Sequence, residues 1–142
     1  MKLDGVDYHG LVGGQVVVVY GARQDDLNPR WDLACHSPAG FGWGYGGSGP
    51  AQLALGLASD VLHRTSAPHP RCRAAVRRRA EQRWDAIYCP ACREASRLHQ
   101  YIKARMVAPL PQGVGWTMAA TDILAAITEA VLAHPAPPHA DE

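Results

Sequence analysis

The sequence predicts an α+β domain: a small antiparallel sheet with about four helices packed on it, and a helical insert that a zinc ion would stabilise. Three observations predict it. Strand-like runs fall before residue 47, apolar stripes at helical spacing follow it, and two short Cys/His pairs bracket a basic stretch near the middle. At 142 residues the chain fits one domain with a modest core. The expected bounds are 1–133 for that domain, 63–97 for the Cys/Arg-rich insert and 134–142 for a disordered tail, PAPPHADE preceded by His134.

Val6–Gly10 and Gln15–Tyr20 are the first strands, joined across a turn containing Gly13-Gly14. QVVVVY is β-branched and apolar on both faces, which suits a central strand or one covered on both sides. Gly21–Pro38 is dominated by turn chemistry, with Asp25-Asp26, Asn28-Pro29 and Ser37-Pro38; Leu27, Trp31 and Leu33 would pin it to the core. Phe41, Trp43 and Tyr45 alternate with glycines at the period of a strand. Ser48 as N-cap and Pro50 in the first turn then start a helix that stays apolar through Leu62. A second helix is expected over Cys72–Ile87, with Val76, Ala80, Trp84 and Ile87 as its stripe. A third follows over Ala91–Val107, a short extended piece at Trp116-Thr117-Met118, and a last helix over Ala120–Ala133.

The stretch HSPAGFGWGYGGSGPAQLAL resembles the signature of a bacterial and bacteriophage family known only as domain of unknown function 6166. Similar proteins begin with a Tyr-x-Gly strand, matched by Tyr8-His9-Gly10, and end with a Lys-bearing helix and a Trp-Thr-plus-helix segment, matched by YIKARMVAPLP and WTMAATDILAAI. The resemblance covers about residues 6–62 and 98–128, and the cysteine-bearing basic segment stands between as an insert. It implies a bacterial or phage origin and carries over no catalytic residue.

His69-Pro-Arg-Cys72 and Cys89-Pro-Ala-Cys92 have the layout of a four-ligand zinc site with one Cys replaced by His. A straight helix between the pairs would hold its ends about 24 Å apart, at 1.5 Å per residue. One ion therefore requires the flanks to fold back, or a fourth ligand from elsewhere, His99 or Cys35. Ordinary reduced thiols and a redox Cys-x-x-Cys at a helix start are the competing readings.

A net charge of +1 conceals a basic middle: residues 64–105 carry eleven basic and three acidic side chains. Arg71, Arg73, Arg77, Arg78, Arg79 and Arg83 would form a surface for nucleic acid or an acidic protein, against a plain solvated face as the alternative. Gly46, Gly47, Ser48 and Gly49 at a helix start invite a phosphate, yet they match neither the P-loop nor the dinucleotide fingerprint. Close packing is the competing account. His36 is expected to be a hydrogen-bonded turn residue rather than a base, because no nucleophile is placed for it. The expectation is thus a small cytoplasmic, non-enzymatic binding protein with a structural zinc and no membrane span or small-molecule substrate. A nucleotide binder or enzyme using the glycine corner is the alternative.

Overall fold

The computed structural model describes residues 3–67, 69, 71–72 and 87–135. The sheet has four antiparallel strands: β1 (Val6–Gly10), β2 (Val16–Tyr20), β3 (Arg23–Asp26) and β4 (Trp116–Ala119), in the order β3-β2-β1-β4. Three α-helices accompany it among the described residues: α1 (Ser48–Thr65), α2 (Pro90–Ile102) and α3 (Ala120–Ala133). The expected α+β class stands, with three described helices in place of about four. The helix expected over 72–87 lies almost wholly outside the described residues.

Period two explains β1. Val6, Tyr8 and Gly10 point inward, and Asp7 and His9 point out. Val16, Val17 and Val18 are all buried, and because successive side chains point to opposite faces, both faces of the sheet are covered at the start of β2. Tyr8 sits opposite Val18 on one side and Met118 on the other, which builds a continuous inner face. Gly10 pairs with Trp116, and a Cβ there would fall on the indole ring, so the bulky Trp needs the glycine.

Tyr8 ties sheet to helix. Its hydroxyl donates to Asp60 on α1 at 2.5 Å, and Arg64 donates to the same oxygen at 2.7 Å. Burial, then Asp60, push the Tyr8 phenol far above its ordinary pKa, so it stays a donor.

Two expectations are corrected. The charged run Arg23–Asp26 becomes the edge strand β3, where turn chemistry is expected, because β2 offers it an unpaired ladder and Tyr20 donates to Asp25 at 2.7 Å. Its charges suit an exposed edge. Phe41–Tyr45 is not a strand. Gly40 and Gly44 take φ of +116° and +86°, which breaks the extended run. Trp43 is buried and donates to the Val114 carbonyl at 2.9 Å, while Tyr45 turns outward, 45 % exposed.

Helix α1 is the central element. Its residues from Gly49 to Ser59 are buried on every side, as an all-round apolar helix requires. It starts at Ser48 with Gly47 as N-cap and no side-chain cap, so Ser48 does not play the expected capping role. Gly56 lets the chain at Asn28 cross α1 closely: a Cβ there would stand 2.9 Å from the Asn28 carbonyl. After Ile102 the third expected helix continues only as a π-helical turn, Lys103–Val107, closed by Ala108 N–H donating to Lys103 O.

Candidate metal centre

Four ligand-type side chains converge where the end of α1, the start of α2 and the chain at Cys72 meet. The imidazole of His63 and the thiols of Cys72, Cys89 and Cys92 place one ligand atom each within 4.8 Å of every other. Helix α1 supplies His63 in its last turn. Cys89 is the N-cap of α2 and Cys92 lies in its first turn. There the free N–H groups of the helix start favour thiolates. Cys72 arrives on an isolated parallel bridge with Ile87, made by Ile87 N–H donating to Arg71 O at 2.9 Å.

The geometry tests the fit to a metal. The sulfurs of Cys72, Cys89 and Cys92 stand 3.5, 3.4 and 3.9 Å apart. His63 Nε2 lies 3.5, 3.4 and 3.4 Å from them in the same order. Six edges this even define a nearly regular tetrahedron. Its centre lies about 2.1–2.2 Å from each corner, which matches the ~2.3 Å of a zinc–sulfur bond and the ~2.0–2.1 Å of a zinc–nitrogen bond. The group could therefore hold a metal ion.

The surroundings prepare these atoms. His63 Nδ1 lies 2.6 Å from the Ser59 carbonyl, so Nδ1–H donates there and Nε2 keeps its lone pair toward the sulfurs. Burial alone would lower the His63 pKa; the Ser59 carbonyl and the neighbouring thiols raise it overall, which marks a pocket that favours positive charge. Cys72 and Cys92 are 1 % and 0 % exposed and Cys89 is 6 %, so the centre is closed to solvent on its sulfur side.

The expected ligands separate as follows. Cys72, Cys89 and Cys92 are brought together. His69 is not with them: its Nδ1 accepts from the Arg71 backbone N–H at 3.2 Å, and the fourth corner is His63. Neither named alternative takes that corner. Cys35 is exposed, and His99 pairs with His36 instead. His63 carries no x2 spacing to a cysteine. The available signal was a histidine in the last turn of a buried helix with Ser four residues before it. Because Cys72 and Ile87 are bridge partners, with Ile87 N–H donating to the Arg71 carbonyl, the flanks do fold back and Cys72 and Cys89 are not held a helix length apart. Of the six arginines, Arg71 is exposed beside Cys72; Arg73, Arg77, Arg78, Arg79 and Arg83 lie outside the described residues.

The glycine corner is covered. The Tyr45 ring lies against Gly47, and its hydroxyl end against Gly42 and Gly49, where any added Cβ would collide with it. Only Gly46 faces open space; Ser48 and Gly49 belong to the first turn of α1. Packing against Tyr45 accounts for Gly42, Gly47 and Gly49.

His36 is hydrogen-bonded, as expected, but at a bend that immediately precedes the Ser37–Gly40 turn. Its backbone N–H and that of Ser37 donate to Gln52 Oε1 at 2.8 and 3.0 Å, and its Nε2 lies 2.9 Å from His99 Nε2. His99 Nδ1–H donates to the Ser96 carbonyl, so His36 supplies the shared proton. Burial above all, then the charge of His36 and Lys103, holds the His99 pKa below its ordinary value. The unfolded chain therefore takes a proton at about pH 6.5 that the folded chain refuses, and stability falls as the pH drops through that value. Urea denaturation of His99→Gln across this range should show a shallower loss than the parent; parallel curves would remove His99 as the source.

Among the described residues, no helix is long and apolar enough to cross a membrane. A model of a family of unknown function, DUF6166, matches residues 8–86, more than half of the chain. The matched stretch runs through His63 and Cys72 into the segment expected as an insert, and stops short of 98–128. No curated protein and no solved structure matches the chain.

Proposed function

The chain belongs to the DUF6166 family, and we propose that it is a non-enzymatic binding protein in which a structural zinc clamps the base of an arginine-rich segment that engages nucleic acid. The even tetrahedron of His63, Cys72, Cys89 and Cys92 carries this reading. Three thiolates and one imidazole are a soft to borderline donor set that suits zinc, whereas magnesium and calcium take oxygen ligands. Four protein ligands fill the coordination sphere and leave no position for substrate, which is the pattern of structural rather than catalytic zinc.

The same clamp supports the second half. Cys72 and Ile87 are bridge partners, so the residues on either side of the stretch 73–86 meet at one place. That segment carries Arg73, Arg77, Arg78, Arg79 and Arg83 against Glu81 and Asp85 only. A tethered basic segment contacts several phosphates with less loss of chain freedom than a free one.

Two measurements test this. Elemental analysis of the reduced protein should find about one zinc per chain. Retention on labelled DNA or RNA should fall on the order of 10²–10³-fold between about 50 and 200 mM salt if about five phosphates are contacted. It should collapse when Arg77, Arg78 and Arg79 become Glu. No retention at low salt, or capture of a polyglutamate chain with no capture of nucleic acid, overturns the nucleic-acid half and turns the basic segment toward an acidic protein. Absence of metal overturns the zinc half.

A further inference from the structure

Arg30 is the most buried charged side chain described, 1 % exposed, and it lies against the cysteine cluster. The chain brings it there at some cost: its φ of +57° is in the left-handed region, where a side chain is unfavourable. Asn28 supports the bend by accepting the Arg30 backbone N–H at 3.0 Å.

All five of its side-chain N–H groups have acceptors. Nε and Nη2 donate to the two Asp32 oxygens at 3.1 and 2.9 Å. Nη1 donates to Ser59 Oγ at 2.8 Å, and Nη1 and Nη2 both reach Cys92 Sγ, at 3.5 and 3.4 Å. Ser59 is also the residue whose carbonyl orients His63. One guanidinium thus touches one ligand directly and contacts the residue that aims a second.

We infer that Arg30 is the positioning and charge-balancing residue of the metal centre. This rests on the metal reading above. Three thiolates, a neutral imidazole and a divalent ion sum to one negative charge in a site closed to solvent on its sulfur side, which is costly to bury alone. Arg30 sets a positive charge directly against the cluster, shared with the Asp32 carboxylate on its surface side, and its two N–H···S contacts draw density from the Cys92 thiolate and hold its direction. Asp32, at the surface end, keeps the guanidinium plane aligned. The centre is thereby made a rigid, unreactive strut.

The test is cobalt substitution of the full chain, with Arg30→Met and Arg30→Lys as variants; both keep a side chain at the strained φ, so strain is common to all three proteins. The parent should take one Co²⁺ with tetrahedral visible bands and a near-ultraviolet thiolate-to-metal band. In Arg30→Met the visible bands should persist. The thiolate band should move to longer wavelength, because a thiolate without N–H partners gives up charge more easily, and metal affinity should fall about 10–100-fold. Arg30→Lys, which retains the charge but loses the fork, should show a smaller shift in the same direction. An unmoved thiolate band with affinity within twofold of the parent, in either variant that folds, overturns the inference while leaving the metal site standing. A parent that takes no Co²⁺ overturns the metal reading itself.

Discussion

Cys92→Ser should leave a protein that no longer retains metal and melts about 6–20 °C lower than the parent. Cys92 is the fully buried corner of the tetrahedron and meets the other three ligand atoms at 3.4–3.9 Å. A serine hydroxyl there is a poor zinc ligand and leaves two Arg30 donors facing a weaker acceptor. Losing a metal from a domain that has its own core costs on the order of 3–5 kcal/mol, and each kilocalorie is worth roughly 2–4 °C at this chain size. Differential scanning calorimetry with and without a chelator checks it. Chelation should lower the parent's melting point toward that of Cys92→Ser and leave the variant unmoved. A parent indifferent to chelation would show that the four side chains hold no stabilising ion.

Gln52→Leu should be nearly as damaging, although it alters no ligand. Gln52 is fully buried in α1, and its amide uses every donor and acceptor it has. Nε2 donates to the Pro29 and Ala34 carbonyls at 2.7 and 3.0 Å, and Oε1 accepts from His36 and Ser37. Leucine fills the same space and strands four backbone groups. At about 1–2 kcal/mol each, partly recovered by water, the loss is on the order of 3–5 kcal/mol. Because these bonds fix residues 29–37, the same substitution should loosen Arg30 and weaken metal retention about tenfold or more. Chemical denaturation and chelator competition on one preparation read both effects. Normal metal retention in a destabilised Gln52→Leu protein would break the link between this loop and the centre.

The ligand set shows how far residue order reaches. Cys-x2-Cys at a helix start is visible at Cys89 and Cys92 because two thiols three residues apart share one turn. His63 is not visible by spacing, since it joins Cys72 only after α1 has ended and the chain has come back. His69 has the better spacing and the wrong place. The aromatic-glycine run shows the converse. Alternation at Phe41, Trp43 and Tyr45 satisfies the period of a strand, but Gly40 and Gly44 at positive φ, with Trp43 drawn to the Val114 carbonyl, make a loop of it. Arg23–Asp26 has little strand propensity and is a strand all the same, because β2 needs a partner on that side.

By itself, the sequence determined the α+β class, the strands at Val6–Gly10 and the valine run, the buried helix after Pro50, and three of the four metal-type ligands. All of these depend on neighbours within a turn or a strand repeat, where local periodicity and side-chain chemistry act directly. Tertiary structure alone decided the fourth ligand, the edge strand, the loop held by Gln52 and the burial of Arg30 against Cys92. Each joins residues 9 to 62 positions apart, beyond the reach of a helical turn or a strand repeat, or a pairing that only the assembled sheet offers. Such contacts form because buried donors, acceptors and charges must find partners in three dimensions, and no local pattern records which partner is nearest.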